Sequence, residues 1–163
     1  MPPIVSESMS LIGEVSVSNA VNLATNIPNT TNRFIKIVAN GELAAQGQDR
    51  RLLLRLNHAA RSYKSYVDMG GDGRGGEWGD ASGLYLGRNG WGRDATFSLE
   101  YTLAVNASAQ KVVGSGNAVF ADGSDAILGY ASHGFFTTSD PITSVELLFT
   151  GGVATWNCKI YVL

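Results

Sequence analysis

The sequence predicts an all-β fold: an antiparallel β-sandwich, jelly-roll-like, in one domain with a short N-terminal arm. Three observations predict it. Apolar and polar side chains alternate with a period of two along several stretches. Glycine-, asparagine- and proline-rich turn signals separate those stretches at short intervals. The composition, 44% hydrophobic and 16% charged with 20 glycines in 163 residues, excludes a disordered chain, a coiled coil and a long-helix protein.

Taken in chain order, residues 1–10 read as an arm containing Pro2, Pro3 and Ile4, and residues 11–163 as the sandwich. Strands are expected at 12–17 and 21–25, with a turn at Asn26-Ile27-Pro28-Asn29. The stretch 33–40 alternates through Ile35 and Ile37, and Asn40-Gly41 reads as a turn. Residues 42–51 are the one helix candidate, weakened by Gly47 and at most a turn or two long. Leu52, Leu54 and Leu56 then alternate with Leu53 and Arg55. Further strands are expected at 63–68 and 84–88, the latter closed by an Asn89-Gly90 turn.

The clearest alternation is 96–103, where Phe97, Leu99, Tyr101 and Leu103 share one face. Short strands at 110–113 and 118–121 flank a Gly114-Ser115-Gly116 turn. An apolar strand follows at 126–136, after an Asp122-Gly123 turn. Ser139-Asp140-Pro141 leads into 142–149, and Thr150-Gly151-Gly152-Val153 reads as a hairpin turn. The last strand puts Trp156, Cys158, Ile160 and Val162 on one face.

Few features carry chemistry. One cysteine excludes an internal disulfide framework and a multi-cysteine zinc site. Cys158 alternates into a core strand and reads as a buried, inert thiol. His58 and His133 sit in no metal-ligand or triad spacing, so each reads as a structural histidine. The glycine-rich run 69–80 lacks the Lys-Ser/Thr of a phosphate loop. Its acids, Asp68, Asp72, Glu77 and Asp80, do not follow a calcium-loop spacing, and the run reads as a solvated loop. Two asparagine glycosylation patterns, at Asn29 and Asn106, are discounted because no signal peptide precedes them. No catalytic residue, cofactor or metal ligand is expected.

Net charge is −2, which favours neither nucleic acid nor a membrane surface as partner. No apolar run is long enough for a transmembrane helix. The charge is uneven: residues 33–93 hold most of the cations, and 94–163 mostly acids. Aromatic residues on loops and outward strand positions are the best contact candidates: Tyr66, Trp78, Tyr85 and Trp91.

Two groups of segments carry a resemblance. The first is Leu11-Ile12-Gly13-Glu14-Val15, the run 25–37 with its Ile27-Pro28, Leu52-Leu53-Leu54-Arg55-Leu56-Asn57, and Tyr63. The second is Ile142-Thr143-Ser144-Val145 through Phe149, the two glycines, and Lys159-Ile160-Tyr161-Val162-Leu163. Together they resemble the small β-sandwich virion proteins of tailed bacteriophages. Those close on a Tyr-Gly-Leu, where this chain has Val162 in the glycine's place. The middle of the chain, glycine-rich run included, matches nothing in the resemblance.

The resemblance implies a non-enzymatic jelly-roll module in the virion, assembled in the host cytoplasm. Its expected partners are the major capsid protein or other virion subunits, and copies of itself, with a trimer favoured and a dimer the alternative. A short arm and no shaft favour capsid decoration over a tail- or head-fibre domain that binds a host receptor or surface glycan. The arm, Pro2–Ile4, and the aromatics Tyr66, Trp78, Tyr85 and Trp91 are the expected contacts. The fibre role would show itself as an exposed Trp–Tyr platform near Trp78 and Trp91 with polar groups beside it.

Overall fold

A computed structural model describes residues 9–30 and 33–163. Among them, twelve strands form two antiparallel sheets: β1 Ser10–Ala20, β2 Asn22–Thr30, β3 Phe34–Ala44, β4 Arg51–Leu56, β5 Tyr63–Gly71, β6 Gly75–Trp78, β7 Leu84–Arg88, β8 Ala95–Asn106, β9 Lys111–Asp122, β10 Ile127–Thr137, β11 Ile142–Phe149 and β12 Val153–Val162. The large sheet has the order β1-β12-β3-β8-β9-β10-β5-β6, and the small one β2-β11-β4-β7. The chain passes repeatedly from one sheet to the other, as a jelly-roll-like sandwich requires.

Alternation decides which residues meet in the core. Phe97, Leu99, Tyr101 and Leu103 of β8 are buried, and the residues between them are exposed. Phe149 reaches in from the small sheet. Its ring lies 5.2 Å from Phe97, 4.9 Å from Trp156 and 6.3 Å from Phe120, all three from the large sheet. Trp156 is fully buried, and its indole N–H donates to the Ala20 carbonyl at 3.0 Å. Cys158 is buried as expected, and burial pushes its thiol up to about 12.

Several local expectations are corrected. Residues 42–51 form no helix: β3 runs to Ala44 and a turn follows. Gln46 and Gly47 both have positive φ, 57° and 79°, which breaks helical geometry. The segment's polar groups are taken by other loops: Ala45 N donates to Asp94 at 2.8 Å, and Arg50 N to Asn89 at 2.6 Å. Asn89 is buried, and its amide also donates to the carbonyls of Gln48 and Arg93.

Two expected turns lie inside strands. Asn40-Gly41 is in β3, where a Cβ on Gly41 would meet the Thr155 carbonyl oxygen of β12. The stretch Asn26–Asn29 belongs to β2. Pro28 is tolerated there because β2 is an edge strand and its register slips between Ile142 and Ser144 of β11.

Gly114-Ser115-Gly116 is likewise no turn: β9 runs unbroken through it. These glycines give room to β8. A Cβ on Gly114 would sit 2.5 Å from the Tyr101 ring, and one on Gly116 2.1 Å from the Glu100 carbonyl oxygen. Nor do the last two strands form a hairpin. β11 pairs with β2 and β4, and β12 with β1 and β3, so Gly151-Gly152 carries the chain between sheets.

Asp122-Gly123 does form the expected turn. Asp122 Oδ1 accepts from the amides of Ser124 and Ala126, at 2.8 and 3.1 Å, and Oδ2 from Arg93 at 3.2 Å. Loss of solvent around the carboxyl opposes its ionisation, but these donors outweigh that and hold its pKa below the ordinary value. A depressed carboxyl stabilises the fold above its unfolded pKa, about 3.9, and ceases to do so as pH falls through the folded value. Asp122→Asn should therefore lower the urea midpoint at neutral pH, and the gap from the parent should close below about pH 4.

Candidate functional site on the outer face of the large sheet

The sheets are unequal, eight strands against four, so the large sheet offers a broad outer face. Register lines up its outward residues in rows that cross the strands. One row is Ser16, Asn157, Asn40, Ser98 and Val119. The next is Glu14, Lys159, Val38, Glu100, Asn117, Ala131 and Asp68. Successive rows lie two residues apart along each strand, about 7 Å.

These two rows line a shallow trough of about 700 Å³ over β1, β12, β3, β8 and β9. A second depression of about 510 Å³ continues it over β9, β10 and β5, sharing Asn117 and Val119 and floored by Gly70, Gly129 and Ala131. Asn40, Ser98 and Asn117 are exposed, and their side chains hydrogen-bond to no described residue. Ser16 donates to Asn157 at 2.9 Å. Glu14 lies opposite Lys159, Glu100 pairs with Lys36 at 3.8 Å, and Asp68 lines the second depression.

A third row, Tyr161, Lys36, Thr102, Ser115, His133, Tyr66 and Trp78, ends in aromatic rings. The Tyr66 ring lies 5.3 Å from Trp78 and 5.1 Å from His133. Trp78 is 63% exposed and Tyr66 40%. Lys64 Nζ approaches the Trp78 ring at 5.7 Å, and His133 Nε2 lies 4.0 Å from Asp68. The outward aromatics expected at Tyr66 and Trp78 thus meet across β5 and β6, next to the trough's glycine-floored end. A fourth row, Phe34, Ala104, Val113 and Phe135, is apolar, with Phe34 and Val113 each about half exposed.

The glycine-rich run is therefore a hairpin rather than a loop: β5 and β6 pair from Tyr66–Trp78 to Met69–Gly75. Its four acids are kept apart. Asp68 faces His133, and Asp72 accepts from the Ile127 amide. Asp80 accepts from the Ser82 hydroxyl and amide, which hold its carboxyl below the usual range. Glu77 points to the other side of the sheet. It accepts from the Tyr85 hydroxyl at 3.1 Å and from Arg88 Nε at 3.0 Å. Among the described residues no group of three acids, histidines or cysteines comes together as a metal site.

Tyr85, expected as an exposed contact, is fully buried. Two-residue alternation along β7 turns it away from Leu84 and Leu86. Glu77 then binds its hydroxyl and the Arg51 guanidinium lies over its ring at 4.3 Å. Loss of solvent, with Glu77 adding, raises its hydroxyl pKa. Trp91 is 53% exposed but lies elsewhere, on the β7–β8 loop beside Arg93. Trp78 and Trp91 form no common platform. Pro2, Pro3 and Ile4 lie outside the described residues. His58 is exposed in a tight turn with φ 55°.

The outward carboxylates are widely spaced. Glu14 and Glu100 are three strands apart, as are Glu100 and Asp68, which is about 14 Å in each case. No family model matches the sequence, and no curated protein matches it.

Proposed function

We propose that this chain is a non-enzymatic structural protein of a tailed-phage virion, a capsid decoration protein that binds and stabilises the shell by protein–protein contact. The supporting observation is the position of three of its exposed apolar side chains. Leu11, Phe34 and Val113 are each about half exposed and lie at one end of the large sheet. β1 begins at that same end, where Ser10 pairs with Val162. Apolar patches of this kind mark interaction surfaces. A stable contact needs more than about 1,000 Å² of buried surface, so a shell contact would extend beyond these three side chains.

A second reading has its own support. The exposed Trp78–Tyr66 pair, with Lys64, His133 and Asp68 around it, supports a fibre domain that binds a host receptor or surface glycan, although Trp91 takes no part in it. Co-sedimentation of the purified protein with empty shells separates the two. Saturable binding at many copies per shell, with a raised shell melting temperature, is the expected result. Binding at a handful of copies, or to host cells alone, selects the fibre reading.

A further inference from the structure

We propose that the trough on the outer face of the large sheet is a binding site for an extended neutral oligosaccharide, ending on Trp78 and Tyr66. The inference deepens the receptor reading and rests on it for the ligand's class. Three features of the face select that class.

The first is a run of exposed hydrogen-bonding side chains. Asn40, Ser98 and Asn117 stand along the trough with no partner among the described residues. Amides and hydroxyls both donate and accept, which suits sugar hydroxyls that do the same. The second is charge. Glu14, Glu100 and Asp68 line the two depressions with Lys159 as the lining cation, and Lys36 stands beside Glu100, so the trough offers no basic track for a polyanion. The third is the aromatic end. Pyranose rings present apolar C–H faces, and exposed Trp and Tyr rings supply the matching surface. Tyr66 and Trp78 are tilted 52° to each other, so successive sugars meet rings at different angles, as a twisted chain would.

Reach fits an oligomer rather than a monosaccharide. From β12 to β6 the face spans six strand spacings, about 29 Å. The glycines and alanine at the β10–β5 end let a sugar backbone approach the sheet closely before it meets the rings.

The test is titration calorimetry of the full chain with purified linear neutral oligosaccharides of two to six units, glucose- and N-acetylglucosamine-based. Four variants accompany it: Trp78→Ala, Trp78→Phe, Asn117→Ala and Trp91→Ala. Affinity should rise with chain length. Trp78→Ala should weaken it at least about tenfold, as loss of an aromatic anchor does, with Trp78→Phe restoring part. Asn117→Ala should weaken it several-fold and Trp91→Ala leave it unchanged. Thermal melts of each variant report folding. No binding by any oligosaccharide, or binding indifferent to Trp78 and Asn117, overturns the site. Host-cell binding that is lost in Trp78→Ala yet competed by none of these sugars also overturns it, while leaving the receptor reading in place with a different ligand. Shell decoration without sugar binding overturns the site and leaves the decoration reading untouched.

Discussion

Trp156→Ala should destabilise the fold by about 3–5 kcal/mol, the range for deleting a large buried aromatic side chain. Trp156 is fully buried, and its ring lies 5.3 Å from Phe97 and 4.9 Å from Phe149. Those two rings come from opposite sheets, so the tryptophan is part of what holds the layers together. Alanine leaves a cavity that neither sheet can close, because both backbones are fixed by ladder hydrogen bonds on each side. The substitution also strands the Ala20 carbonyl that accepts from the indole N–H. Urea unfolding followed by circular dichroism measures the loss. A change under about 1 kcal/mol would mean that the sheets meet elsewhere.

Gly116→Val should cost about 3 kcal/mol, the upper end of overpacking effects, by prising β9 from β8. The new Cβ would stand 2.1 Å from the Glu100 carbonyl oxygen and 2.7 Å from the Tyr101 Cα. Both obstacles are backbone, so no side-chain rotation relieves them. Ser115 between the glycines faces outward, and Ser115→Val should be nearly neutral. The contrast between adjacent positions separates a close-packed strand from a turn. In a turn both substitutions would be tolerated alike.

That comparison shows what was legible in the sequence. Alternation is local, so β8 and the buried face of β12 could be read residue by residue. Partnership between strands is not local. The Gly151-Gly152 segment looks like any hairpin turn, and only the pairing of β11 and β12 with different partners shows that it switches sheets. Asn40-Gly41 and Gly114-Ser115-Gly116 carry turn composition, yet their glycines answer to neighbours far away in sequence, Thr155 and Glu100. Tyr85 had the right parity for exposure. Its burial comes from Glu77 and Arg51, which lie on other strands.

The site was half legible. Tyr66 and Trp78 stood out as aromatics in a polar, glycine-rich setting, and the structure brings them together. Asn40, Ser98, Asn117 and Asn157 did not, because single amides and hydroxyls at outward positions look like an ordinary solvated face. Register alone assembles them into rows. A usable signal was present: outward positions of β3, β8, β9 and β12 include Asn40, Ser98, Asn117 and Asn157, in a chain only 16% charged.

Phe34 and the trough share one face, with Phe34 four residues from Val38 along β3, about 13 Å. Hydroxyl-radical footprinting of the chain, free and bound to purified phage shells, tests the decoration account most directly. The account predicts that Leu11 and Phe34 lose reactivity on the shell, while Trp78 and Tyr66 keep theirs. Protection of Trp78 and Tyr66 with Leu11 and Phe34 still reactive would contradict it.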